Sequence, residues 1–338
     1  MAESTITTEK HRVNPIKFVV AIWRRLGGDT DEARTVGVTF LILLGLFILM
    51  AFSSRMFLSP RNLRNILTQT AMYVILATGM TFVMALGQID ISIGSMAGII
   101  TAVIGDVIVN QGRPVWLGIL AGLGVGLLCG MFNAFWITFV KVPAIIVTLG
   151  TWTMFRGLAY AYLGGTIYYG FPDSFVSIAR GRFLDLPYPV WIAAVVLICG
   201  YLFLTRTRTG RYITAIGGNE DAARRAGINA KWIRFMVFSL MGLLAGLATV
   251  IITARLDSSA AGTGAGFELH TIAAVVIGGT SLFGGQGLMF GSLMGVLMLG
   301  IVENGLLLAG ISFFWQRVFL GLIFVSVVGF RTLKAGER

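Results

Sequence analysis

Charged and titratable residues stand inside or beside long apolar runs at Asp90, Arg156, Glu268, His270, Glu303 and Arg317. An ionisable group among apolar neighbours is by default a functional hypothesis, because burying a charge is costly. Asp90 and Glu303 are the carboxylates that a proton or ion relay would use. Glu303 and Arg317 flank a short turn, so they are candidates for a structural ion pair, with gating as the second use. Asp90 has a plainer reading as well, as the N-cap of the following helix at the cytoplasmic interface. Arg156 needs a partner that the sequence does not identify. Glu268 and His270 lack metal-ligand spacing, and Cys129 and Cys199 lie in apolar runs as structural thiols. No metal and no cofactor are expected. The sequence has no G-x-x-x-x-G-K-[ST], no H-E-x-x-H and no G-x-S-x-G, so neither ATP hydrolysis nor another catalytic activity is expected of this chain.

A second constellation lies in the longest charged interruption, residues 206–231. Asn219 can cap a short helix there. Glu220 and Asp221 fall in its first turn, Arg224 and Arg225 in its last, and Gly227 follows at the position that favours a left-handed backbone. Ala222, Ala223 and Ala226 offer small side chains for close approach. Two turns of helix are not stable alone in water, so the piece must be held by its own body or by a partner.

These residues hang on a chain that is 56% hydrophobic and 12% charged. Soluble domains carry about 25% charged residues. Several charge-free runs reach the ~20 residues that cross ~30 Å of hydrocarbon. The fold class is therefore all-α, a polytopic transmembrane bundle, and not a β-barrel, whose segments alternate. The runs read as about ten spans, starting near residues 35, 67, 95, 115, 144, 188, 232, 269, 288 and 313. The segments 71–105 and 269–309 are broken enough to be re-entrant. Residues 1–34 read as a basic tail, either disordered or with a helix from Asn14 lying on the membrane surface. Residues 35–331 form the transmembrane domain, and 332–338 a basic tail. Of the 26 lysines and arginines, 17 fall in the two tails, the 206–234 stretch and Lys141. The positive-inside bias puts both termini and the charged loop in the cytoplasm. The same bias accounts for the net charge of +11 without any nucleic acid partner. Thr151, Trp152, Tyr160 and Tyr162 could line a path for a ligand with C–H faces that stack on aromatic rings, as a sugar's do, or belong to an interfacial aromatic belt.

Two glycine-broken stretches point to a transport pathway, as short interrupted apolar segments do in transporters. One contains Gly87, Asp90, Ser92 and Gly94. The other contains Gly278, Gly279, Ser281 and Gly285. Both stretches, and the loop helix, carry a resemblance. GRYITAIGGNEDAARRAGI resembles the cytoplasmic coupling motif E-A-A-x-x-x-G of permeases of binding-protein-dependent ABC importers, through Glu220, Ala222, Ala223 and Gly227, with Asp221 as an extra residue. GMTFVMALGQIDISIGS and AAVVIGGTSLFGGQG resemble, in the same order, two runs of the ribose/xylose/arabinose-type subfamily. Gln88 stands where glycine is usual, and Phe283 where serine is usual. The resemblance spans about residues 55–330. It implies a permease of about ten spans in the bacterial cytoplasmic membrane that works with cytoplasmic ATP-binding subunits. It also implies an external or periplasmic sugar-binding protein and a second permease subunit, identical or not. Asn219 to Gly227 would then be the ATPase-coupling site, and the two glycine-broken stretches the translocation pathway. The rival is a secondary transporter driven by a proton or ion gradient through Asp90 and Glu303.

Overall fold

A computed structural model describes residues 30–336; the surface helix expected near Asn14 lies outside them. Its helices are α1 (Thr30–Ser53), α2 (Pro60–Ala85), α3 (Ile93–Gly105), α4 (Val115–Phe135), α5 (Ala144–Leu163), α6 (Asp173–Arg180), α7 (Tyr188–Arg206), α8 (Arg208–Gly218), α9 (Glu220–Arg225), α10 (Ala230–Leu256), α11 (Phe267–Ile277), α12 (Met289–Leu308) and α13 (Phe313–Gly336). Helices α3 and α4 each end in a wider π turn, Asp106–Asn110 and Trp136–Val140. Four two-residue strands tie the loops. Strand β1 (Tyr168–Tyr169) pairs with β4 (Ser258–Ser259), and β2 (Arg182–Phe183) with β3 (Leu186–Pro187). The β2–β3 turn has positive φ at both Leu184 and Asp185, the twist that favours a tight hairpin.

Seven of the described helices are long and apolar enough to cross a bilayer. They include α1, α2, α4, α7, α10 and α12, and α3 together with its π turn. Helix α5 has the length, 20 residues, but it carries Arg156 and several hydroxyl side chains and is not among the seven. Helix α11 opens the short, glycine-broken eighth segment expected from Leu269 to Phe283. It is 11 residues long, about 16 Å, roughly half the hydrocarbon thickness. Gly278 and Gly279 end it, and the rest of that run is turn.

Burial divides the helices into layers. The apolar windows of α2 and α10 are mostly buried, while those of α1, α4 and α7 are mostly exposed. Exposed side chains on the outer helices are large and apolar: Phe40, Leu49 and Phe52 on α1, Leu128 and Phe132 on α4, Val195 and Ile198 on α7. Such a surface suits lipid and not water, so the chain is a membrane protein.

The α4–α10 pair shows how glycine sets the core. A β carbon on Gly130 would collide with the Phe238 carbonyl oxygen and lie 3.0 Å from the Gly242 Cα. Gly126 and Gly246 repeat the contact one turn away. Small residues at a spacing of four let the backbones touch, which in lipid replaces the missing hydrophobic drive. Replacing Gly130 by valine is expected to cost about 1–3 kcal/mol, since rigid backbone must move. Replacing Gly124, which has open space around it, by alanine is expected to change nothing measurable. Thermal unfolding of the two detergent-solubilised variants, followed by gel filtration, checks the contrast.

Other boundaries differ from the sequence reading for local reasons. Helix α2 begins at Pro60, seven residues before the expected start. Ser59 accepts a hydrogen bond from the Asn62 N–H at 3.3 Å, and proline suits the first turn. The 164–187 stretch holds α6, whose Phe175, Val176 and Ala179 are buried.

Candidate functional site

The charged loop folds as two helices. In α8, Thr207 caps the N-terminus by accepting from the Gly210 N–H at 3.0 Å, and Ile213 and Ile216 turn inward. Asn219 then caps α9, its side-chain oxygen accepting from the Ala222 N–H at 2.8 Å. Gly227 has φ +81°, and the Ile228 N–H reaches the Ala223 carbonyl at 3.1 Å, closing the helix with a left-handed turn. The three alanines do not share one outward face. Ala223 is buried against the body, while Ala222 and Ala226 are exposed. Glu220 is the anchor. Its carboxylate accepts from Arg224 at 2.6 Å and from Arg234 of α10 at 2.7 Å, and Arg234 is only 8% exposed. The loop helix is thereby fixed to the start of the second turn of α10.

The end of α8 reaches the glycine-broken stretches. A β carbon on Gly217 would overlap the Ala85 carbonyl oxygen at the end of α2 and lie 2.6 Å from the Gly285 nitrogen. The Gly285 N–H donates to that same Ala85 carbonyl at 2.9 Å. Gly284 and Gly87 lie against each other, both with positive φ. Three backbones therefore meet without side chains between them: the last turn of α8, the break after α2 and the turn after α11.

The remaining expected pathway residues fall into separate places. Asp90 and Ser92 are fully buried. Asp90 Oδ1 accepts from the Ser92 N–H at 2.9 Å and from the Ser92 hydroxyl at 2.6 Å, and Ser92 Oγ accepts from Asn133 Nδ2 at 2.8 Å. Asp90 Oδ2 and Asn133 Oδ1 have no partner. Asp90 is thus neither a surface residue nor the N-cap itself; it organises the turn whose Ser92 precedes α3. Gly94 packs against Glu268 and Gly264, so the first turns of α3 and α11 touch. Gly278 lies against the Gly291 backbone of α12, and Ser281 Oγ accepts from the Phe283 N–H at 3.2 Å. Gly279, with φ +106°, turns the chain beyond α11.

Glu303 and Arg317 lie close enough for the arginine to attract the carboxylate. Glu303 meets His270 Nδ1 at 3.4 Å and accepts from Gln69 at 3.4 Å. Arg317 donates to the Ala265 carbonyl at 3.0 Å. The turn between α12 and α13 thus also brings the arginine to the loop before α11. The Tyr73 ring stacks on His270, with centroids 3.8 Å apart. Asp90 and Glu303 sit in separate clusters, with Ser92 and Asn133 around one and His270 and Gln69 around the other. Arg156 finds partners that sequence could not supply. Its guanidinium donates to the carbonyls of Ala261, of Thr263 at 3.0 Å and of Gly94 at 2.9 Å. Backbone carbonyls leave no mark in a sequence.

The sequence pattern of the family described as "Branched-chain amino acid transport system / permease component" matches residues 62–328. The chain belongs to that permease family. Relatives extend the match. A ribose import permease protein of Bacillus subtilis (strain 168) is 41% identical over 290 residues, 84% of this permease and 90% of the relative. The ribose import permease protein of Escherichia coli (strain K12) is 39% identical, covering 85% of this chain and 91% of its own. An L-arabinose transport system permease protein of the same strain is 38% identical, covering 86% and 88%. The matched region takes in α8, α9 and both glycine-broken stretches. The permease is a transport subunit and not an enzyme.

Proposed function

We propose that this permease is the membrane subunit of an ATP-driven importer for a monosaccharide or similar small polyol in the bacterial cytoplasmic membrane. The observation that carries the reading is the set of relatives at 38–41% identity over 84–86% of the chain, whose names specify ribose and arabinose. The seven candidate spans, with α5, α13 and the half-length α11 completed by its glycine turn, make ten membrane segments and bring both termini to the cytoplasmic side. The excess of lysine and arginine around α8 and α9 supports that orientation. A cytoplasmic ATP-binding subunit docks on Asn219–Gly227, an external binding protein delivers the sugar, and a second permease subunit completes the passage. Glu220 and Gly227 hold the docking helix, while Ala222 presents a small outward surface. The Gly87–Gly94 and Gly278–Gly285 breaks form a yielding wall that tilts when α8 moves. Access alternates because ATP favours one of two packings.

The family description favours a second reading, branched-chain amino acids. Proteoliposomes holding the permease with its ATP-binding and binding-protein partners decide between them. Labelled ribose, xylose, arabinose and leucine are offered with ATP inside. Pentose uptake that needs the ATP-binding subunit and survives an uncoupler is expected. Uptake of leucine alone selects the amino acid reading. Uptake driven by a proton gradient without ATP selects the relay through Asp90 and Glu303.

A further inference from the structure

The segment between α10 and α11, residues 257–266, runs back along α3. Ser259 Oγ donates to the Thr101 carbonyl at 2.7 Å. A β carbon on Gly98 would lie 2.8 Å from the Ala261 carbonyl oxygen, and one on Gly94 would lie 2.5 Å from that of Gly264. Thr101, Gly98 and Gly94 are three and four residues apart, so they share one face of α3. The segment follows that face for about 10 Å. Glycine at 94 and 98 lets backbone lie directly on backbone there.

Such a segment has no ladder for its carbonyls. Irregular backbone at membrane depth stands only where protein groups or enclosed water supply the missing partners. Here guanidinium groups supply them. Arg156 of α5 donates through Nη1 to the carbonyls of Ala261 and Thr263, and Arg317 of α13 donates to that of Ala265. Arg156 also reaches a second segment. Its Nη2 donates to the Gly94 carbonyl in the first turn of α3. One planar fork thereby joins three pieces of chain: α5, the start of α3 and the loop that opens α11.

Those pieces carry the two glycine-broken stretches. Gly94 belongs to the first, and α11 leads into the second at Gly278. The two stretches already touch where Gly87 meets Gly284 beside Gly217 of α8. They are therefore joined twice, at that junction and through Arg156, with the length of α11 between the joints. Segments joined at one point hinge apart, and segments joined at two points move together.

We propose that Arg156 is a positioning residue for transport, a clamp that makes both glycine-broken stretches move as one body when α8 is displaced. The proposal rests on the ATP-driven importer reading above and not on which substrate is carried. Without the clamp the stretches are held together at the α8 junction alone, each gives way separately, and ATP is hydrolysed with little carried.

The test uses the complete transporter in proteoliposomes. It reads labelled ribose, or leucine where the wild type carries that, per ATP hydrolysed. Arg156→Ala is expected to lower the ratio about tenfold, with binding-protein-stimulated hydrolysis kept because α8 and α9 are untouched. Arg156→Lys keeps the charge and loses the fork, and is expected to lower the ratio about threefold. A wild-type ratio in both variants overturns the proposal. So does a parallel loss of hydrolysis and uptake in Arg156→Lys, which marks an arginine that only holds the fold. Should Arg156→Ala fail to insert, Arg156→Lys decides alone: a lowered ratio with hydrolysis kept supports the clamp, and a wild-type ratio overturns it. Failure of the importer reading is seen separately, in a wild-type transporter whose uptake needs no ATP.

Discussion

Glu220→Ala is expected to reduce sugar uptake by at least about tenfold while the permease still inserts in the membrane at normal abundance. The reason is local. A two-turn helix has almost no intrinsic stability, so α9 keeps its place through its caps, through Ala223 and through the Glu220 carboxylate. That carboxylate bridges Arg224 within α9 and Arg234 in α10. Alanine removes both charge-assisted hydrogen bonds, each worth about 1.5–3 kcal/mol at most, and less at the partly exposed Arg224. Arg234, nearly buried, is left without its carboxylate. A loss of about 2 kcal/mol in the docking of α9 lowers the equilibrium constant for its ordered position about thirtyfold. Glu220→Gln keeps an acceptor for Arg234 and is expected to fall between alanine and wild type. Uptake by cells expressing the whole transporter, normalised to permease in the membrane fraction, is the measurement. Wild-type uptake by Glu220→Ala at equal abundance would remove α9 from the coupling role.

Much of the architecture was legible because lipid imposes a blunt rule. Long apolar runs must be helices in lipid, so the helices beginning at Val115, Ala144 and Tyr188 start where sequence placed them. Cap chemistry was equally legible at Asn219, where an amide, two acids, two arginines and a glycine agree on one short helix. Sequence missed α8 because Gly210, Gly217 and Gly218 each lower helix propensity. The Thr207 cap and the Ile213/Ile216 spacing were the available signals. It placed the start of α2 late because Pro60 reads as a loop residue unless Ser59 is recognised as the cap before it. Contacts made by backbone were not legible at all. Arg156 spends its donors on three carbonyls, and Glu303 meets a histidine from a different helix. Neither partnership follows from spacing, whereas the attraction between Glu303 and Arg317 follows from two opposite charges close in sequence. The glycine-broken stretches were recognised as special. Their meeting place with Gly217 depends on how three distant segments cross.

That meeting place gives the second large effect. Gly217→Ala is expected to abolish transport, and Gly218→Ala to leave it within twofold of wild type; the effect of overpacking against rigid backbone is about 1–3 kcal/mol, against a few tenths for an open position. The two glycines are adjacent in the last turn of α8, and they differ only in what surrounds them. A β carbon at 217 would overlap the Ala85 carbonyl and crowd the Gly285 nitrogen, so it would break the hydrogen bond between them. At 218 the nearest atom is 3.9 Å away, ordinary contact. Helix propensity favours alanine over glycine at both positions, so any loss at 217 comes from the junction and not from α8 itself. The junction joins the loop helices to the Gly87 break and to the turn after α11. A methyl group there pushes α8 away from the wall that the proposed function has it move. Uptake therefore should fall while ATP hydrolysis by the docked partner continues, because Glu220, Asn219 and Gly227 are untouched. If Gly217→Ala loses uptake and hydrolysis together, the junction holds the docking helices in place; if it loses neither, force reaches the membrane helices by another route, with the Glu220–Arg234 bridge into α10 the remaining connection.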